Sequence, residues 1–282
     1  MTRQIATRFL FAPMLGMMVA VVCSGPLAVA QEPEKDKEAE ARQQLNNMKR
    51  SAAQYTLSSA DTPQLAFKFH ETAALRFSNT LGGSKDGVLY FWTNQGRPQA
   101  ALKLYTFNNK TYTHAWLSLS EHSFVSQRDG KVIWNPAEPG ISFREIPDAP
   151  KPAETAAERL RQMKSLSTKF SANYAALNSD GKPFELRILT RPLLRYETDD
   201  DYHVDGALFG YVQSTAPVGL LLLESRQTAD GYRWHYAFAS LVSGTVTARY
   251  GVQEVFSLAR GNVHQDPNQP YLLLHSLPVP KE

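Results

Sequence analysis

The chain has one cysteine in 282 residues, Cys23, and none after it. Everything beyond that position therefore lacks a thiol nucleophile, a disulfide framework and a cysteine-ligated zinc site. Past the N-terminal region, no stretch strings together the roughly 18 apolar residues that a helical membrane span requires. Charge of a single sign is scarce too: Lys and Arg total 30 against 27 Asp and Glu. A balance so close to neutral exerts no overall pull on nucleic acid or on an anionic membrane. The sequence also lacks G-x-S-x-G, H-E-x-x-H, a phosphate-binding loop and a dinucleotide fingerprint, so no cofactor is expected.

What is present begins with Arg3 and Arg8, followed by an apolar run over residues 9–22. Ser24-Gly25-Pro26 breaks that run, and Ala28-Val29-Ala30 supplies small residues before a cut. Residues 1–30 read as a secretory signal peptide, which implies a periplasmic or extracellular destination. Lipidation at Cys23 is the rival, although Val22 stands where a lipobox requires Gly, Ala or Ser. An exported chain without disulfides must be held by its core, and 4 Trp, 12 Tyr and 14 Phe supply the material.

Apolar periodicity organises the remainder. Ala41, Leu45, Met48, Ala52 and Tyr55 recur at helical spacing, as do Leu160, Met163, Ser167, Phe170, Tyr174 and Leu177. Each helical stripe precedes a series of short strands with turn signals between them. The two clearest strand pairs are DGVLYFWTNQGRPQAALKLY (86–105) and DGALFGYVQSTAPVGLLLLESR (205–226), each opened by an Asp-Gly turn signal. Connections this short favour antiparallel pairing. Residues 146–155, with Pro147, Pro150 and Pro152, read as a linker. Across residues 75–105 and 194–224, eight of 31 aligned positions are identical, where composition alone gives roughly two. The expectation is an α+β fold: a tandem duplication of an amphipathic helix followed by a curved antiparallel β-meander, in a pseudo-two-fold arrangement. The repeats would span residues 31–146 and 147–282.

Leu160-Arg161-Gln162-Met163, Asp205-Gly206-Ala207-Leu208-Phe209, Arg233-Trp234-His235-Tyr236-Ala237 and Trp134-Asn135-Pro136 are packing and turn signatures. On these residues, with Glu138-Pro139-Gly140, the mature chain resembles a family of uncharacterised, predicted exported bacterial proteins. The resemblance implies export and a shared fold, and transfers no activity.

Several residues carry possible chemistry. His114 and His122 with Glu121 could form a metal or acid–base group, or His114 could be a packing position. Asp201 and Asp205, in an acidic stretch over 199–206, have oxygen-ligand spacing but lack the flanking helices and closing Glu of a calcium loop, so no metal site is expected. Arg76, Arg195, Trp92 and Tyr211 are candidates for ligand binding, against the plainer reading that each Arg pairs with Asp86 or Asp205 across strands. His235, His203 and Asp205 are the weak catalytic candidates.

Two functions remain open. One is a non-catalytic binding or structural module of the bacterial envelope, whose partner is another protein, an envelope component or an apolar ligand. The other is a periplasmic or secreted hydrolase using His and Asp groups in a cavity between strands.

Overall fold

The computed structural model describes residues 32–79, 81–177, 182–198, 205–261 and 265–280. Helix α1 (Glu32–Ala53) leads into β1 (Tyr55–Ser59), β2 (Lys68–Phe69) and β3 (Leu75–Asn79). Next come β4 (Ser84–Asn94), β5 (Arg97–Thr106), β6 (Thr111–Ser118), β7 (Phe124–Arg128), β8 (Lys131–Trp134) and β9 (Arg144–Glu145). Helix α2 (Ala156–Ser167) precedes β10 (Phe170–Ala175), β11 (Phe184–Ile188), β12 (Leu194–Glu197) and β13 (Asp205–Gln213). The chain continues through β14 (Ala216–Thr228), β15 (Gly231–Ser240), β16 (Gly244–Tyr250), β17 (Gln253–Arg260) and β18 (Tyr271–Pro278). Arg42–Glu282 forms one compact unit, and Met1–Ala41, which includes the start of α1, is a separate one.

The fold corrects the α+β expectation. Among the described residues the fold is mostly β, with two helices and curled antiparallel sheets rather than a tandem duplication of an amphipathic helix and meander. The physical reason lies at the helix ends. The stripe that includes Tyr55 overruns α1 into β1, and the stripe that includes Phe170 and Tyr174 overruns α2 into β10. Spacings of three and four persist across these junctions, but aromatic side chains there settle on a pleated, half-buried surface. Helix α2 is closed at its start by Thr155, whose hydroxyl accepts from the Glu158 N–H (3.3 Å) and donates to the Glu158 carboxylate (2.8 Å), an N-cap that satisfies one orphan donor.

The strands form three sheets. One runs β18-β6-β5-β4-β2, with β3 also on β4; a larger one runs β17-β16-β10-β11-β13-β14-β15-β9, with β12 also on β13; a small one is β1-β7-β8. Every described pairing of named strands is antiparallel. Edge strands are exchanged along the chain: β9 joins β15, whereas the late β18 joins β6.

Three apolar layers result. Leu89, Phe91 and Leu117 of the first sheet meet Leu208, Leu220 and Leu222 of the second. On the far side of the second sheet, Phe209, Leu221, Leu223 and Trp234 pack on Met163 and Leu166 of α2. On the far side of the first, Trp92, Leu102 and Trp116 pack with Met48 and Ala52 of α1 and with Trp134. Strand β14 is thus apolar on both faces because both are covered.

Asp86-Gly87 and Asp205-Gly206 are positions within strands and not turns. Phe77 lies across Gly87 and Tyr196 across Gly206; a Cβ would come within 2.4 Å of the Phe77 ring or 2.5 Å of the Tyr196 ring. Glycine is needed there for close approach of a cross-strand aromatic, not for a bend. No helix among the described residues is long and apolar enough to cross a membrane.

Leu221→Asp would set an unpaired carboxylate between the second sheet and α2, at a penalty of several kcal/mol. Circular dichroism melts should show the cooperative transition lost or sharply lowered. A variant melting like the wild type would refute the two-sided burial of β14.

Candidate functional site

An open cleft of about 600 Å³ lies where the connection from β2 to β3 faces the connection from β11 to β12. Backbone hydrogen bonds pin both walls to the central strands. The His70 and Ala74 N–H groups donate to the carbonyls of Phe91 (3.0 Å) and Leu89 (2.9 Å) on β4, and those of Leu189 and Leu193 to Gly210 (2.8 Å) and Leu208 (2.7 Å) on β13. The walls include Ala73, Leu75, Phe91, Leu189, Leu193 and Leu194. Arg187 and Arg191 also line the cleft, and both are exposed. Arg187 donates one hydrogen bond to the Ser214 carbonyl (3.3 Å).

His70 reaches the Thr93 hydroxyl at 3.0 Å. Burial, with a smaller contribution from Lys68, lowers its pKa, so the imidazole is neutral at neutral pH. Thr93 is itself buried and does not line the cleft. The arrangement offers apolar surface beside two guanidiniums, which suits a molecule with an apolar body and a carboxylate or phosphate end. Among the described residues, no group of three or more His, Cys, Asp or Glu is placed to hold a metal ion.

A second polar assembly crosses the layer between the two large sheets. The Glu224 side chain on β14 is fully buried. Its carboxylate accepts from the Tyr196 hydroxyl (2.8 Å) and from Arg97 through Nε (2.9 Å) and Nη2 (3.2 Å). Arg97 and Arg226 both donate to Glu121, at 2.8 and 2.9 Å, and both guanidiniums stand over the Phe143 ring. Burial pushes the Glu224 pKa upward, and Arg97, Tyr196 and Arg226 pull it back. Glu121 shows the opposite balance: burial would raise it, but the two arginines outweigh burial and hold it below the ordinary range. Two carboxylates and two guanidiniums neutralise one another, so this assembly fastens the sheets together.

His114 on β6 is completely buried. Its Nε2 lies 3.2 Å from the Ser51 hydroxyl and its Nδ1 2.8 Å from the Tyr55 hydroxyl. Arg128 also donates to Tyr55, at 3.2 Å. Burial, with a contribution from Arg128, pushes the imidazole down to about 3.

The residues singled out in the sequence do not converge. His114 belongs to this core group, whereas Glu121 is held by Arg97 and Arg226. Trp92 packs on Phe69 and Trp116 at ring distances of 4.7 and 4.9 Å. Tyr211 is buried against Phe238 at 5.4 Å. Arg76 grips Asp86 with two hydrogen bonds, 3.0 and 2.7 Å. Asp205 is held by Arg195 and by Arg159 of α2. His203 and Asp201 lie outside the described residues.

Register separates the catalytic pair that the sequence suggested. His235 is cross-strand from Glu224, which is opposite Gly206; Asp205 is opposite Ser225, which is opposite Trp234. Directly opposed residues share a face and neighbours along a strand alternate, so Asp205 and His235 point to opposite faces of the sheet. They cannot exchange a proton directly. The His235 Nδ1 lies 3.2 Å from the Arg233 carbonyl.

The cleft residues are not legible as a set in the sequence, because His70 lies more than 100 positions from Arg187 and Arg191. Glu224 had a legible signal: it is a charge inside the apolar segment LLLLES.

The ion network makes a quantitative prediction. Arg97→Met alone removes the bidentate partner of a buried carboxylate and should cost about 3 kcal/mol, whereas Arg97→Met with Glu224→Leu should recover most of that loss. Urea unfolding of Arg97→Met, Glu224→Leu and the double variant measures this; single losses that simply add in the double variant would show that the pair is not coupled. His114 makes another. Its unfolded value is near 6.5, so the unfolded chain takes up a proton that the folded chain refuses until about pH 3. Stability should be full above pH 6.5 and fall on acidification, by up to about 1.4 kcal/mol per pH unit from this group. His114→Gln should flatten that slope in urea midpoints measured from pH 7 to pH 4.

Comparison of the chain with family models, with curated proteins and with solved structures returned no match.

Proposed function

We propose that this chain is a non-catalytic binding module of the bacterial envelope, whose ligand has an apolar body and an anionic end and sits in the cleft flanked by His70 and Arg191. The single observation behind the reading is the cleft's make-up. It is of small-molecule size and has apolar walls pinned by backbone hydrogen bonds, with two guanidiniums beside them. An apolar body gains by leaving water, at about 25 cal/mol per Å² of buried surface. Arg187 and Arg191 then fix the orientation of the anionic end. Export through residues 1–30, to the periplasm or beyond, belongs to the same proposal. It rests on the N-terminal pattern and on the resemblance to predicted exported proteins. A carrier or sensor of amphiphiles in the envelope needs no catalytic group, and none is assigned to the cleft.

Calorimetry with dodecanoate tests this, with dodecanol as the uncharged comparator. Saturable binding of dodecanoate is expected, stronger than that of dodecanol. The Arg187→Ala/Arg191→Ala double variant should weaken it by about tenfold, in line with the loss of charge-assisted hydrogen bonds at an exposed rim. Ala73→Trp, which fills the cleft from a partly exposed position, should abolish binding without altering the far-UV spectrum. If the wild type gives no binding heat, or Ala73→Trp binds undiminished, the cleft is not the ligand site.

A further inference from the structure

A buried ammonium stands alone at another place in the central layer. Lys103 lies mid-strand on β5, is 8% exposed, and donates a hydrogen bond to the Pro217 carbonyl at 2.8 Å. Its remaining close surroundings are aromatic: Nζ is 5.5 Å from the centre of the Phe77 ring and 5.7 Å from that of Tyr105. Among the described residues no carboxylate forms an ion pair with it, in contrast to Arg97 and Arg226. An ammonium carries three donors, and a buried one without a counter-ion is unfavourable unless something fills that role. Burial lowers its pKa to about 8, which leaves the amine mostly charged at neutral pH.

Lys103 lines a pocket of about 290 Å³. Tyr105, Tyr174 and Tyr271 line it as well, from β5, β10 and β18, with Leu241 and Leu273 supplying apolar surface. Burial raises the pKa of all three phenols, so they are neutral hydroxyls at any physiological pH. Arg260, which does not line the pocket, stacks on the Tyr271 ring at 4.5 Å and donates to the Ser240 carbonyl. One fixed positive charge, phenolic hydroxyls and a short apolar wall define the chemistry of an occupant.

We propose that this pocket binds a small monocarboxylate with a short apolar tail, with the Lys103 ammonium as its counter-ion. The carboxylate accepts hydrogen bonds from Lys103 and from phenol hydroxyls, and the tail lies against Leu241 and Leu273. No residue is shared with the cleft of the preceding subsection, so the two sites stand or fall separately.

Butyrate is the probe, with butanol and inorganic phosphate as comparators, in calorimetry and thermal-shift measurements on the full chain. Saturable butyrate binding with a rise in Tm is expected, with little or no effect of butanol or phosphate. Lys103→Met and Lys103→Gln, each checked for a wild-type far-UV spectrum, should lose it, whereas Arg187→Ala/Arg191→Ala should leave it unchanged. Affinity should fall about tenfold from pH 7 to pH 9, as the amine loses the proton that attracts the carboxylate. The proposal is overturned by any of three results: no binding by the wild type, equal binding by a folded Lys103 variant, or equal binding of butanol or phosphate. Should both variants fail to fold, the pH series and the comparators on the wild-type protein decide.

Discussion

The layer where the two large sheets meet is the constraint from which most of the structure follows. Leu89, Phe91, Leu117, Leu208, Leu220 and Leu222 meet there with water excluded. A helix and further strands already cover the outer face of each sheet, so β4, β5, β13 and β14 have almost no surface left for solvent. A charge on the inner faces of these strands needs an answering group, because solvent cannot supply one. Glu224 is answered by Arg97, Arg226 and Tyr196, and the aromatic ring of Phe143 supports both guanidiniums. A buried ion pair is rarely a net gain over well-packed apolar residues. Its value here is registration: apolar faces can slide over one another, whereas a bidentate guanidinium–carboxylate contact holds the sheets in one relative position.

Opportunities for binding arise at the margins of that layer. The cleft near His70 opens between the β2–β3 and β11–β12 connections, and hydrogen bonds to β4 and β13 keep its walls in place. The strongest polar contacts, including Arg76 with Asp86 and Arg195 with Asp205, are saturated within the fold. The groups that remain open to a ligand are those the scaffold does not need, Arg187 and Arg191 among them.

Local pattern reveals local structure in this chain, and long-range structure only indirectly. The hairpins over residues 86–105 and 205–226 are legible because alternation and turn residues are local, and they form β4–β5 and β13–β14. Two-sided burial of Leu220, Leu221, Leu222 and Leu223 follows from an unbroken apolar run in the same way. Helix ends are misread at Tyr55 and Phe170, where one spacing fits a helix and a strand equally. Asp-Gly looks like a turn because glycine usually marks one, while here the glycine makes room for a ring contributed by another strand. The cleft is harder still, since His70 and Arg191 meet only through sheet packing that no local pattern encodes. The opposite orientations of Asp205 and His235 depend on register in the same manner.

The exchange of edge strands has a kinetic meaning. A chain made from its N-terminus forms β4, β5 and β6 early, yet β6 keeps an open edge until residues 271–278 have been made and have returned across the whole second sheet. Loop closure over such a separation is slow, and an unpaired edge is where chains associate wrongly. The first sheet is therefore the last to be finished, and completing it also closes the second half of the chain against the first. The strand over residues 271–278 acts as a latch: until it pairs with β6, the first sheet is incomplete.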